Sequence, residues 1–144
     1  MCRKYLIIIK YLENYDLIEK QVEIDSDVDF YSDKRRLKVI FNNLISNSIR
    51  YFNPYIDNPY VKISIKTDEE KSVIKILDNG LGIENQYLEK IFDMFFRASN
   101  NSKGTGIGLY IVKETIQKVN GAIKVESEIE KGTSFTVTIP NLNA

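Results

Sequence analysis

Four segments that alternate apolar and polar residues, and two with a helical apolar stripe, predict an α/β protein. The expected architecture is a two-layer sandwich, a mixed and mostly antiparallel sheet covered on one face by helices. Val61, Ile63 and Ile65 alternate with Lys62, Ser64 and Lys66, and Ser72 to Asp78 reads as a second strand. Ile123 and Val125 alternate with Lys124 and Glu126, and Phe135, Val137 and Ile139 with Ser134, Thr136 and Thr138. Each is a strand with one wet face. A doubly wound parallel sheet would need near-continuous apolar strands, which these are not.

In chain order, residues 1–19 are read as an N-terminal segment, the remnant of an upstream region, and 20–144 as the domain. Tyr5–Tyr11 fits a strand or a helical turn. Gln21–Ile24 alternates like a strand, and Val28–Tyr31 is expected as a second short one. Asp33 to Pro54 reads as one long helix with Asp33 as its N-cap, the carboxylate accepting from free backbone N–H groups. Leu37, Ile40, Phe41, Leu44, Ser48 and Phe52 form its apolar stripe. Asn43 and Asn47 stand one turn apart on another side, with Arg50 and Tyr51 one turn further on. Asparagine is a weak helix former, so this polar stripe is either a solvated face or a site. Tyr51–Tyr60 holds two prolines and is a loop. Asp68-Glu69-Glu70 is a polar turn between two strands that form a hairpin. Glu84 to Met94 is expected as a short helix and Gly108 to Val119 as a stronger one. Asn120-Gly121 closes the latter, with glycine favoured at the left-handed position. Lys131-Gly132 lies in the turn between the last two strands.

Composition narrows the function. The 144 residues suffice for one domain with a real core. Lys+Arg and Asp+Glu both number 20, for a net charge of zero, which argues against bulk-charge binding to nucleic acid or to a membrane surface. The only cysteine is Cys2, which excludes an internal disulfide and suggests a reducing, cytoplasmic setting. The apolar run Tyr5–Ile9 is too short to span a bilayer and lacks a signal-peptide cleavage pattern. Histidine is absent, so the commonest general base and zinc ligand is missing.

Three constellations carry chemistry. Asp78-Asn79-Gly80-Leu81-Gly82-Ile83 follows a strand. Taken alone, its Asn-Gly is first a hairpin-turn signal. Alternatively, Gly80 and Gly82 let the backbone approach a flat ligand while Asp78 serves as a fixed acceptor. A carboxylate there can bond the exocyclic amine of adenine and is mismatched to the carbonyl of guanine. Gly104-Thr105-Gly106-Ile107-Gly108-Leu109 runs into the strong helix. It reads as a phosphate cradle or as a flexible junction. It is neither a P-loop, for want of a following Lys-Ser/Thr, nor a dinucleotide fingerprint. Ile91-Phe92-Asp93-Met94-Phe95-Phe96-Arg97 is an apolar knot ending in a cation. The polar run Arg97–Lys103 is read as a lid, with Arg97 and Lys103 flanking a phosphate or standing as solvated charges.

The order of these segments resembles that of a known family. NNLISNSIRY is similar to the N box of sensor histidine kinases, DNGLGI to their G1 box, IFDMFFR to their F box and GTGIGL to their G2 box. The tail NGAIKVESEIEKGTSFTVTIP resembles their closing strand pair. The resemblance covers roughly residues 20–140 and implies the Bergerat ATP-binding fold, shared with DNA gyrase B, MutL and a heat-shock chaperone. It implies ATP and Mg²⁺ as cofactors. Asn47 matches the Mg²⁺ asparagine and Asn43 the polar residue one turn before it. Arg50 matches the basic residue at the phosphates, and Tyr51 the aromatic beside the nucleotide. Asp78 matches the adenine aspartate, backed by Gly80 and Gly82. Gly104, Gly106 and Gly108 match the phosphate-side glycines. Ile83, Phe92, Thr105 and Leu109 fall within the same boxes, Lys103 adjoins the last of them, and all five are expected in the nucleotide site. Asn43, Arg50 and Arg97 are the candidates for assisting transfer.

Two departures matter. Asn43 stands where ATP-hydrolysing relatives carry glutamate, and a carboxamide cannot serve as a general base. The phosphate-accepting histidine of the family lies on a separate helical domain, which this chain lacks. Ser48 replaces a common alanine, and Val119 stands where many members have histidine and is expected to pack. The resemblance therefore implies a kinase domain that donates the γ-phosphate of Mg·ATP to a histidine on a phosphoacceptor helical domain. A response regulator would act downstream, with no nucleic-acid partner and no membrane contact in this segment, whatever anchor the parent carries. The alternatives are a serine/threonine kinase of the anti-sigma-factor type and a non-catalytic ATP-binding or docking module.

Overall fold

A computed structural model of the chain describes residues 15–97 and 106–142. A 3-10 turn at Tyr15–Leu17 leads into β1 (Glu19–Ser26); α1 (Lys34–Arg50) follows, then β2 (Tyr60–Thr67) and β3 (Lys71–Asp78). A second 3-10 turn at Asn85–Tyr87 precedes α2 (Gly108–Lys118), β4 (Ala122–Glu128) and β5 (Gly132–Pro140). The five strands form one open sheet in the order β1-β2-β3-β5-β4. Only β1–β2 is parallel among these pairs; the rest are antiparallel. The expected mixed, mostly antiparallel sandwich is what the chain forms, with a fifth strand grown from the Gln21–Ile24 signal.

Register explains the core. Directly opposed residues share a sheet face, so four rows cross the helix-covered side. Ile63, Ile76, Phe135 and Val125 form one row, and Ile65, Ile74, Val137 and Ile123 the next. These apolar rows pack under Leu37, Ile40, Leu44 and Ile49 of α1 and Val112 and Ile116 of α2. The rows at the two ends are more polar. One holds Thr67 and Ser72, whose hydroxyls bond at 2.9 Å. The other holds Asp78, Thr133 and Ser127. Ile18, just before the expected domain start at residue 20, already packs in the core.

Several expected elements take a different form. Val28–Tyr31 is not a strand. Its backbone is held instead by Asn141, whose side chain accepts from the Tyr31 N–H at 3.0 Å and donates to the Asp29 carbonyl at 2.9 Å. The long helix ends at Arg50 with Tyr51 as its C-cap. Asn53, ahead of Pro54, is pushed out of the helical region and caps the Tyr55 N–H at 3.0 Å. Glu84–Met94 is not a helix beyond its one 3-10 turn. Successive tight turns carry Tyr87, Ile91, Phe92 and Phe96 against the core, and Phe95 adopts a φ of 64°. At the end of α2 the left-handed residue is Asn120, φ 56°, and not Gly121. Asparagine tolerates that region through local hydrogen bonds, and the Gly121 N–H then returns to the Ile116 carbonyl at 2.9 Å. Asn79-Gly80 is not a hairpin turn, because β3 pairs with β2 and β5 on either side. Asn79 accepts from the Tyr60 N–H and donates to the Asn58 carbonyl, both at 2.8 Å. Val119 is half-buried against the core, as its place on the apolar stripe suggests. Tyr5–Tyr11 lies outside the described residues.

Candidate functional site

The two faces of α1 divide the labour. Asp33 caps the helix, its Oδ1 accepting from Arg35 N–H at 3.0 Å and Arg36 N–H at 3.1 Å. These bonds and the Arg36 cation hold its carboxyl below the usual carboxylate range. The apolar stripe then faces the sheet, which leaves Asn43, Asn47, Arg50 and Tyr51 along one wall of a cleft of about 560 Å³. The start of α2 and the end of β3 close the other sides.

Asp78 lies at the base of the cleft. It is 7% exposed, far less than a carboxylate normally is. Burial pushes its pKa up, while the Gly80 N–H, the Ser48 hydroxyl and the Thr133 N–H pull it back. The Gly80 N–H bond to Oδ1 is 2.9 Å. The Ser48 hydroxyl also lies 3.2 Å from the Leu44 carbonyl, and its single proton can serve only one of them. Donors aimed at Asp78 from the protein side fix it as an acceptor toward the cleft.

The glycine segment after Asp78 is tied through both backbone groups of Leu81. The Leu81 N–H donates to the Tyr51 carbonyl at 3.0 Å, and the Glu130 N–H to the Leu81 carbonyl at 2.8 Å. A Cβ on Gly80 would lie 2.5 Å from the Tyr51 carbonyl oxygen, so only glycine lets the helix end approach. Gly82 has φ of 75°, and a Cβ there would run into the Glu128 carbonyl. Gly106 of the second glycine segment meets the aromatic knot, its carbonyl accepting from the Phe95 N–H at 2.9 Å.

The cleft thus brings together Asn43, Asn47, Arg50, Tyr51, Asp78, Gly82, Ile83, Arg97, Gly106, Gly108 and Leu109. Gly80 stands behind Asp78 and does not line it. Phe92 is not brought into it: its ring packs edge-on against Phe135 at 6.4 Å, with the Lys113 ammonium 6.0 Å from its centroid. Lys103, Gly104, Thr105 and most of the expected lid lie outside the described residues. Sequence reasoning missed Thr133 and Ile129 from the β4–β5 hairpin, and Leu81, Tyr87 and Phe96 as apolar wall. Thr133 had a signal: it is the polar residue in phase with Phe135, Val137 and Ile139.

Asn43 donates from Nδ2 to the Val39 carbonyl at 2.8 Å. Its Oδ1 faces the start of α2, 3.1 Å from where a Cβ on Gly108 would stand. Asn47 has no side-chain hydrogen-bond partner among the described residues, which leaves its amide oxygen available in the cleft wall. Among the described residues no three His, Cys, Asp or Glu side chains converge to hold a metal. The donor set therefore fits a cation that takes one amide oxygen plus phosphate and water oxygens, as Mg²⁺ does, and does not fit an all-protein cage.

The chain matches one family model, described as histidine kinase-, DNA gyrase B- and HSP90-like ATPase, over residues 32–143. The chain belongs to this ATPase family. The sensor protein RprX of Bacteroides fragilis is 37% identical over 131 residues, which cover 87% of this chain and 24% of RprX. The chain thus spans about a quarter of that relative. Among solved structures, the mycobacterial sensor histidine kinase MprB superposes with a TM-score of 0.80 at 25% identity, covering 96% of this chain and 91% of that one. The catalytic domain of the histidine kinase ThkA gives 0.76 at 27% identity, covering 97% and 94%. The fold and motif order are those of a histidine kinase-like ATPase domain. Among the described residues no helix is long and apolar enough to cross a membrane.

Proposed function

We propose that this ATPase-family domain binds Mg·ATP in the cleft and presents the γ-phosphate to a histidine on a separate helical phosphoacceptor domain. In that role it is the kinase part of a two-component relay, with a response regulator downstream. The observation that carries the reading is Asp78, a buried carboxyl in the end row of the sheet, held as an acceptor and opening on the cleft. It would take the exocyclic amine of adenine. Tyr51, Leu81, Gly82 and Ile83 would line the base, and Leu109 and Gly108 the phosphate side. Asn47 would hold Mg²⁺ through its amide oxygen. When bound, Mg²⁺ would neutralise charge developing on the phosphates.

This chain's own residues would do the rest by position and charge. Arg50 and Arg97 stand on the cleft wall as exposed cations. Asn43, one Nδ2 proton given to the Val39 carbonyl, can orient a water by accepting from it through Oδ1 but cannot act as a general base. The cleft thus favours holding ATP for transfer over splitting it. The absence of histidine from the chain requires the acceptor to come from elsewhere. The proposed setting is cytoplasmic, whether or not the parent protein is anchored in a membrane.

Calorimetry with Mg·ATP tests the reading. The wild-type chain is expected to bind, and Asp78→Asn to bind at least tenfold more weakly, since the amide would turn a donor on the adenine amine or lose its bond altogether. Equal affinity for the two proteins would remove the adenine assignment.

A further inference from the structure

Ser127 does not line the cleft, yet three bonds converge on its hydroxyl. It accepts from the Ile83 N–H at 2.8 Å. It lies 2.9 Å from the Gly132 carbonyl and 2.8 Å from the Thr133 hydroxyl. Register puts it in one row with the nucleotide carboxyl, since Asp78 opposes Thr133 and Thr133 opposes Ser127. Thr133 is 6% exposed and lines the cleft beside Asp78.

Proton counting fixes the direction of this chain. A hydroxyl has one proton, and a carbonyl has none to give. The 2.9 Å contact with the Gly132 carbonyl takes the Ser127 proton, because a carbonyl only accepts. The bond between the two hydroxyls must then carry the Thr133 proton toward Ser127. Thr133 is left with lone pairs alone toward the cleft. Two acceptors, the Asp78 carboxyl and the Thr133 hydroxyl, therefore stand side by side at the base. That pair suits an amino group, directly or through a bridging water, and opposes a carbonyl.

We propose that Ser127 is a positioning residue for purine selection: it turns the Thr133 hydroxyl into an obligate acceptor and pins Ile83 of the glycine loop. The proposal rests on the adenine-nucleotide reading of the cleft. Without Ser127, the Thr133 proton can swing into the cleft and meet a guanine carbonyl, and the Ile83 N–H loses its partner.

The test is binding of Mg·ATP and Mg·GTP to the full chain, by calorimetry for ATP and by competition for GTP. Ser127→Ala is expected to weaken ATP about tenfold, the scale of one lost hydrogen bond. GTP should weaken less, so the ATP:GTP preference shrinks several-fold. Ser127→Thr keeps the hydroxyl and should restore the preference. In a Thr133→Val background, Ser127→Ala should change the preference no further. An unchanged preference in folded Ser127→Ala overturns the proposal, as does an equal loss in the Thr133→Val background. If Ser127→Ala does not fold, Thr133→Val carries the test alone: it must shrink the preference, and an unchanged preference overturns the proposal. Wild-type protein that binds neither nucleotide sinks the adenine reading along with it. Wild-type protein that binds ATP while Ser127→Ala keeps its preference sinks only the role of Ser127.

Discussion

The role proposed for Asp78 comes with a cost to folding. A carboxyl that is 7% exposed gives up much of its hydration, and burial raises its pKa in spite of the donors around it. A raised carboxyl pKa means that the folded state holds the proton more tightly than the unfolded state. The associated stability is present below the unfolded pKa and is lost as pH rises through the folded one. Without nucleotide, Asp78→Asn should therefore be at least as stable as wild type at neutral pH. Its advantage should shrink as pH falls toward and below the ordinary aspartate range, where wild-type Asp78 is protonated too. Denaturant midpoints of the two proteins between pH 7 and pH 4 measure this. A variant that is markedly less stable at neutral pH would show that the Asp78 charge supports the fold, and would place its role in structure.

At the scale of elements, the sheet's end rows and the connections do the positioning. The strand and helix cores were legible because periods of two and of 3.6 residues are written directly in Val61–Ile65, Phe135–Ile139 and Leu37–Leu44. The polar stripe Asn43–Asn47–Arg50–Tyr51 was also visible, since it interrupts a good helix with poor helix formers. What was not legible depended on long-range contacts. Nothing local says that Asn141 will hold Asp29 and Tyr31, or that the aromatic knot will fold as tight turns and not as a helix. The same holds for Asn79, whose neighbour glycine suggested a hairpin while its side chain serves Asn58 and Tyr60. Asn141 yields an element-scale expectation. Its side chain bonds Tyr31 N–H, the Asp29 carbonyl and, at 3.0 Å, the Asp68 carbonyl, and it is 8% exposed. Asn141→Ala should cost about 2–3 kcal/mol in urea unfolding with an unchanged slope. A loss under about 0.5 kcal/mol would mean that water replaces these bonds, which buried polar groups seldom allow.

At the scale of the whole molecule, one face of the sheet makes the core and one end of that face makes the cleft. The apolar rows stop at Ile63, Ile76, Phe135 and Val125, and the next row carries Asp78, Thr133 and Ser127. The asparagine stripe of α1 and the start of α2 overhang that row, so a nucleotide bound as proposed would meet the carboxyl, the amides and the cations from different elements. Motif order gave this arrangement to the sequence reading, but the contribution of the β4–β5 hairpin became visible only through strand register. On the proposed reading, a domain so built, with an amide in place of a general base, hands its phosphate on to a histidine supplied from elsewhere. The most direct measurement is incubation of the chain with γ-labelled ATP, Mg²⁺ and helical phosphoacceptor domains of two-component kinases. The expected result is acid-labile label on a histidine of at least one such domain, absent with Asp78→Asn. Acid-stable label on serine, or no label on any of several domains from a chain that binds ATP, would contradict the account.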